Sequence, residues 1–339
     1  MKKNVWNYQK NNSDFKHVCE KYDLGFLKCA SKINNGFSSH CYKLVTNKAS
    51  YFIKVYQLNK LKIVTSAAKT EIYFQRGGVP VIARIRNLDG NDYLIINNKI
   101  FIVFPYVVIP KIHKWEKELY GELGNFLGKM HSYSIKVSNT NTFEGFDLNK
   151  LAAESLNTMS LLLEALRNKK RIRNPDILAA NNLMIKINYL KDISFKKCTL
   201  PIVTLVHGDF HPGNLCIKNN KIEMIFDFDD CDTRSIYFEL AKVIIRTCFN
   251  GSFDKAKFAR TKCFLTEYQR HVKIKPSIFK KAIQICHFLH LNSYWVEEKW
   301  LEKPTPGLIE ALRKERGALK YFVKLNNLNV FIRRVCAVN

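Results

Sequence analysis

Acidic side chains are scarce in this chain: 29 Asp and Glu stand against 55 Lys and Arg in 339 residues, a formal net charge of +26. A balance this basic invites a polyanionic partner, but its make-up argues against one that is read specifically. The excess is Lys, 41 against 14 Arg, spread among Asn and Ile without a dense cluster. Arg is the residue suited to bidentate phosphate and base contacts. The charge reads as AT-rich coding background, and no specific nucleic-acid partner is expected. The ten cysteines show no C-x-x-C spacing, which points to a reduced, cytoplasmic setting rather than a disulfide framework. No uncharged apolar run reaches bilayer length, residues 100–110 being the longest candidate, so no membrane association is expected. The start, Met1-Lys2-Lys3-Asn4-Val5-Trp6, leads into polar residues instead of an apolar signal core. No internal repeat or low-complexity segment occurs. What is present is 47% hydrophobic content over a length sufficient for two lobes and a large core.

The rest of the chain is organised around Val206-His207-Gly208-Asp209-Phe210-His211-Pro212-Gly213-Asn214-Leu215, followed by Ile222-Glu223-Met224-Ile225-Phe226-Asp227-Phe228-Asp229-Asp230. The apolar run 202–206 enters a polar loop ending at Asn214; 215–217 and 222–226 read as strands around a turn at 218–221. Such a hairpin carries Asp209 and Asn214 at one end and returns Asp227 beside them. Two carboxylates and an amide oxygen then suit phosphoryl transfer, one carboxylate orienting the attacking hydroxyl and the other oxygens holding Mg²⁺. A zinc site built on His207, Asp209 and His211 is the rival reading. Gly208, Pro212 and Gly213 interrupt the strand it needs, and it leaves Asn214 and Asp227 without a role. Asp227 and Asp229, on one strand face about 7 Å apart, would repel by roughly 2 kcal/mol at an effective dielectric near 20. A divalent cation would remove that penalty.

The pattern H-G-D-x-H-x-x-N, then about a dozen residues, then an apolar pair and D-F-D resembles the catalytic core of the aminoglycoside phosphotransferase and choline kinase superfamily. These are the small-molecule relatives of protein kinases. The resemblance implies an α+β fold of two kinase-like lobes, a small antiparallel sheet at 1–105 and a mostly helical lobe at 106–339. It makes Asp209 the catalytic base, Asn214, Asp227 and Asp229 metal ligands, and His207 a brace for the loop. Asp229 stands where protein kinases carry the glycine of D-F-G. Glu239 takes the place of an Asp that holds the loop through backbone hydrogen bonds, with a longer side chain. The implied cofactors are ATP or GTP and Mg²⁺, and the implied acceptor is a small-molecule hydroxyl. A protein Ser/Thr kinase and a nucleotide-binding pseudokinase are the alternatives.

Earlier in the chain, 24–33, 40–46 and 50–56 read as strands after a helix within 4–22, with hairpin chemistry at Asn34-Asn35-Gly36 and Asn47-Lys48. The first turn falls where a kinase drapes a loop over the phosphates, which assigns Gly36 and Ser38 to the nucleotide. Lys54 lies between bulky apolar neighbours and calls for a partner. Glu71 is the one acidic residue between Asp23 and Asp89 and sits on a helix over 61–76. An ion pair of the two would set the Lys on the α- and β-phosphates. Phe104, Tyr106 and Val107 occupy, by position alone, the adenine-binding hinge. Beyond 111 the chain reads as helical: 119–131, 151–168, 177–191, 233–245, 253–271, 280–300 and 306–324, with 139–146 a loop. His131 falls among the apolar core positions of its helix, and Tyr294, Trp295 and Trp300 read as core before substrate cage. Polycationic aminoglycosides fit poorly, since residues 231–339 hold 21 Lys and Arg against 9 Asp and Glu.

Overall fold

The computed structural model describes residues 12–33, 40–110, 116–138, 142–191, 197–249 and 255–322. Gly36 and Ser38 therefore lie outside the described residues. The chain forms two compact units, Met1–His113 with Gly213–Cys231, and Lys114–Pro212 with Asp232–Asn339.

The first unit is built on an antiparallel sheet, β1 (Leu27–Ile33), β2 (His40–Thr46), β3 (Ser50–Gln57), β4 (Leu94–Ile96) and β5 (Lys99–Pro105), in the order β1-β2-β3-β5-β4. α1 (Asn12–Lys21) lays Phe15, Val18 and Cys19 on Leu44, Ile53, Val55, Phe101 and Val103. α2 (Leu61–Arg76) follows β3 through a single 3₁₀ turn, and Val64 joins a second apolar cluster with Tyr56, Ile100, Ile102 and Phe104. Tight turns come from Asn pairs in the left-handed region: Asn97 (φ 49°) and Asn98 (φ 61°) join β4 to β5. Asn219 (φ 48°) and Asn220 (φ 57°) join β9 (Leu215–Lys218) to β10 (Lys221–Ile225). Asn tolerates this conformation, and two such residues make the hairpin turn whose twist matches the strands. β10 docks beside the turn after α2, where the Ile225 N–H donates to Pro80 O at 2.9 Å and the Ile82 N–H to Ile225 O at 3.1 Å.

The second unit is helical. α3 (Lys117–Ser138) packs on α7 (Lys255–Tyr268), α4 (Leu148–Arg167) on α5 (Asn174–Lys191), and α6 (Ile236–Val243) on α8 (Pro276–Leu291). Two small antiparallel pairs complete it: β6 (Glu144–Phe146) with β7 (Cys198–Leu200), and β8 (Val203–Val206) with β11 (Asp232–Ser235). Three expectations change here. Residues 144–146 are a strand, not loop, paired by a partner more than fifty residues away that no local pattern reveals. The helix expected from 233 begins at Ile236, because Thr233 and Arg234 pair with β8 and the Ser235 hydroxyl caps α6 by accepting from the Tyr237 N–H. The single helix expected over 280–300 is α8 and α9 (Trp295–Glu302), broken at Asn292-Ser293-Tyr294. The Ser293 carbonyl freed by the break accepts from Lys186 Nζ at 2.7 Å, and the same ammonium meets the buried Glu297 carboxylate at 3.2 Å. Of the aromatics expected in the core, Trp300 is buried and its indole N–H donates to the buried Asp176 at 2.9 Å, whereas Trp295, the first residue of α9, is exposed. α10 (Pro306–Phe322) closes the described chain.

α3 and α7 meet backbone to backbone. A Cβ added at Gly124 would stand 2.0 Å from Phe264 O and 2.8 Å from Phe264 C, and one at Gly128 2.9 Å from Tyr268 O. Gly317 on α10, by contrast, has nothing within 4 Å of that position. Gly124→Ala should therefore cost about 1–3 kcal/mol by overpacking, whereas Gly317→Ala should gain roughly 0.5–1 kcal/mol from helix propensity. Denaturant melts of the two variants check this; equal shifts of the same sign would contradict the packing.

Candidate active site

Lys54 lies on the buried stretch of β3, paired with Ile102 of β5. Its ammonium does not meet Glu71. It donates to Asp227 Oδ1 at 2.8 Å and Asp229 Oδ2 at 3.0 Å. Two residues along the strand, and so on the same face, the Tyr56 hydroxyl lies 2.7 and 2.9 Å from the two Asp229 oxygens. Burial lowers the Lys54 pKa, but Asp229, then Tyr56 and Asp227, outweigh it and hold the ammonium above its ordinary value. The repulsion expected between Asp227 and Asp229 is thus relieved by a protein cation. Glu71 is instead clamped by Arg84: Nε donates at 2.6 Å and Nη2 at 3.0 Å to its two oxygens. Burial still pushes the Glu71 carboxyl upward, with Arg84 opposing. The expected Lys54–Glu71 pair is corrected on that ground. A bidentate guanidinium satisfies a buried carboxylate better than one ammonium can, and Lys54 answers two carboxylates elsewhere.

The hairpin sets the positions of Asn214 and Asp227. Leu215 is opposite Ile225 in the ladder, and just beyond it the Phe226 N–H donates to Asn214 O at 3.1 Å. Asp227 follows with φ 70°, a left-handed conformation uncommon for a residue with a side chain and concentrated at functional positions. Asp227, Asp229 and Asn214 supply only hard oxygen donors, as Mg²⁺ requires, and two carboxylates suffice when phosphates complete the shell. Among the described residues no group of three His, Cys, Asp or Glu is arranged to hold a metal by itself. Of the hinge residues, Phe104 is buried with its ring 6.2 Å from Phe52, and the Tyr106 N–H donates to Ser50 O at 3.2 Å. The Val107 N–H has no partner among the described residues.

In the second unit the loop after β8 is anchored from beneath. His207 is fully buried, its Nδ1 accepts from the Asp209 N–H at 3.2 Å, and Gly208 turns the chain at φ 83°. Glu239, on the first turn of α6 and 2% exposed, accepts the Gly208 N–H at 2.5 Å through Oε1. Its Oε2 meets His131 Nε2 at 2.6 Å, and His131 Nδ1 meets the Tyr268 hydroxyl at 2.7 Å. Burial raises the Glu239 pKa, but the His131 hydrogen bond and charge, with His207 and the Gly208 N–H, bring it below the ordinary value. The longer Glu thus reaches the loop backbone expected of a shorter Asp. Sequence reading placed His131 in the core and gave Tyr268 no part; histidine at a core position of α3 was the available signal.

Asp209 itself stands among basic groups. Arg246 Nη1 pairs with Oδ1, Lys242 Nζ lies 3.7 Å from the same oxygen, and His211 Nε2 lies 3.2 Å from Oδ2. Lys242 also donates to Gly208 O at 2.6 Å. Burial raises the Asp209 pKa, but the His211 bond and the Arg246 and Lys242 charges outweigh it and hold the carboxyl well below the carboxylate range. With the folded value depressed, this cluster stabilises the fold above about pH 4, the unfolded value, and loses that contribution as pH falls below it. Neither Arg246 nor Lys242 was singled out from sequence. Lys242 falls one helical turn after Glu239, and its spacing was the signal to follow.

The relay from Tyr268 through His131 to Glu239 should behave as one unit. Glu239→Gln should cost roughly 3–5 kcal/mol, as for breaking a buried charged pair, and Tyr268→Phe about 1 kcal/mol. The double variant should fall short of the sum by more than about 0.5 kcal/mol. Urea titrations of the three variants measure this, and strict additivity would disprove the linkage.

A family profile described as "Phosphotransferase enzyme family" matches residues 30–271, more than half of the chain. No curated protein matches. Among solved structures, an amicoumacin kinase in complex with AMP-PNP, Ca²⁺ and Ami is similar at 16% identity and TM-score 0.59, over 91% of this chain and 93% of that one. A spectinomycin phosphotransferase in complex with ADP and spectinomycin is similar at 14% identity and TM-score 0.54, over 96% and 98%. A microcompartment-associated aminopropanol kinase is similar at 13% identity and TM-score 0.56, over 91% and 96%. At such identities the structures bear on the fold alone, and it is the kinase-like fold of an antiparallel sheet followed by helices. The profile match carries the remainder: this chain belongs to the phosphotransferase enzyme family and is a kinase.

Proposed function

We propose that the protein transfers the γ-phosphoryl group of ATP or GTP, with Mg²⁺, to a hydroxyl group of a small molecule. The observation that carries this reading is the closure of Lys54 on Asp227 and Asp229. One strand-borne cation and two hairpin-borne carboxylates, one of them held left-handed, are the parts that phosphate and metal binding require. Asn214, Asp227 and Asp229 would hold the metal, which when bound neutralises charge on the phosphates. Lys54 holds the nucleotide phosphates and Glu71, fixed by Arg84, supports the helix beside them. Phe104 packs against the base, and the Val107 N–H, without a partner among the described residues, donates to it. Asp209 orients the acceptor hydroxyl and takes its proton late, as suits a carboxylate held strongly acidic. His207 and Glu239 keep its loop in place. The lobes then correspond to a nucleotide-binding 1–105 and a catalytic, acceptor-binding 106–339, with the hairpin contributed to the former. Nine free thiols among the described residues suit a reducing cytoplasm, and no described helix is long and apolar enough to cross a membrane.

A second reading is favoured by one observation. Glu71 is engaged by Arg84 and not by Lys54, an arrangement that a nucleotide-binding regulator with little turnover would also show. Turnover separates the two.

Asp227→Asn should remove most Mg²⁺-dependent nucleotide stabilisation and turnover while the protein stays folded, measured by melting with and without ATP and Mg²⁺. Unchanged Mg²⁺ dependence would rule out this ligand set. Asp209→Ala should keep nucleotide affinity and slow transfer about 10²–10⁴-fold, the usual contribution of a positioned base. Loss of ATP binding in that variant, or an unaltered rate, would remove Asp209 from catalysis and leave the regulator reading ahead. Because Asp209 is already ionised throughout, its titration should produce no inflection in kcat/KM between about pH 5 and pH 8.

A further inference from the structure

The surroundings of Asp209 bear on what the acceptor carries besides its hydroxyl. Lys242 is committed on two sides, to the Asp209 carboxylate and to the Gly208 carbonyl. Arg246 is not: Asp209 is its one partner among the described residues, reached through Nη1, and its side chain is 48% exposed. A guanidinium presents several N–H donors in a planar fork, so most of this fork is left over beside the catalytic carboxylate. The side chain is also placed by an irregularity. Arg246 is the third residue of a π-helical turn, Ile244–Phe249, that continues directly from α6. Such turns insert one residue into a helix and gather at functional sites. The same continuous element thus grips the loop through Glu239 and presents Arg246 to Asp209 at its other end.

A guanidinium fork with no second partner among the described residues, next to a catalytic carboxylate, selects by charge. An ammonium on the acceptor would meet Arg246 and Lys242 together, whereas a carboxylate or phosphate would find a bidentate partner. We infer that the acceptor is an anionic alcohol, a compound whose reacting hydroxyl lies within a few bonds of a carboxylate or phosphate that Arg246 binds. This rests on the assignment of Asp209 as the base. In the reaction the acceptor oxygen forms a bond to the γ-phosphorus and the bond from that phosphorus to the β-phosphate oxygen breaks. The hydroxyl proton passes to Asp209 and the nucleoside diphosphate departs. Arg246 orients the acceptor through its anion and takes no part in the bond changes.

The test uses the full chain with ATP and Mg²⁺, following nucleoside diphosphate release with a matched set of acceptors: glycerate, glycerol 3-phosphate, glycerol and 3-amino-1,2-propanediol. At least one anionic member should show kcat/KM tenfold or more above glycerol and the amine. The contrast between glycerate and glycerol 3-phosphate tells a carboxylate site from a phosphate site. Arg246→Gln should bring the anionic-to-neutral ratio close to one, chiefly through KM, and Arg246→Lys should recover part of it. Preference for glycerol or the amine, or a ratio that survives Arg246→Gln, overturns the inference. If none of the four is turned over, melting of the ADP- and Mg²⁺-loaded protein gives the second measurement. Glycerate or glycerol 3-phosphate should raise the midpoint more than glycerol does, and Arg246→Gln should abolish the difference; equal midpoints overturn the inference. Failure of the base assignment shows separately, as an Asp209→Asn variant that keeps both full rate and anion preference.

Discussion

A single buried carboxylate determines the shape of the second unit's working loop. Glu239 is sealed from solvent, where an unpaired charge would be costly, so each of its oxygens has to be answered. The Gly208 N–H answers one and His131 the other. The first of these fixes a backbone group one residue from Asp209. The second passes the constraint to Tyr268 on α7 and to the glycine face of α3 that lets α7 approach. The loop that carries Asp209 is therefore held by helix packing two steps away, and its geometry depends on a charge that must remain paired.

In the first unit the corresponding constraint is electroneutrality around the hairpin. Asp227 and Asp229 lie too close to be left alone, and Lys54 with the Tyr56 hydroxyl settles them. Arg84 does the same for Glu71. Lys54 answers two carboxylates and Arg84 the third, so the exchange of partners relative to the expected Lys–Glu pair follows from there being two bases and three acids close together. The chain's large positive charge has little to do with this. The lysines in excess are mostly exposed, while the working cations are Lys54, Arg84, Lys242 and Arg246.

β1 to β3 and the hairpin of β9 and β10 were legible because their signals are local: short apolar runs bounded by turn residues, and a loop motif whose residues are consecutive. α2 was legible for the same reason, ending at Gly77-Gly78 as its composition suggests. What escaped is long-range. Nothing near 144–146 announces a strand partner at 198–200, and Arg84 pairs with Glu71 only because the chain doubles back after Pro80. Tyr56 could have been found, two positions beyond Lys54 on one strand face. Arg246 falls almost two helical turns after Glu239, on the same face of a regular helix, but nothing in that spacing says that it meets Asp209.

The π-helical turn that carries Arg246 has a consequence for how this enzyme could diverge. A π turn is an α-helix with one residue too many, so a one-residue deletion within Ile244–Phe249 would restore regular winding and rotate every following side chain by about 100°. A deletion at Ile244 or Ile245, which precede Arg246, would turn its side chain away from Asp209 while α6 and Glu239 stayed as they are. One in-frame codon lost there would thus remove a positive charge from beside Asp209 without altering Asp209 itself. A length polymorphism of this kind is a shorter route between substrate classes than a series of point substitutions across a pocket.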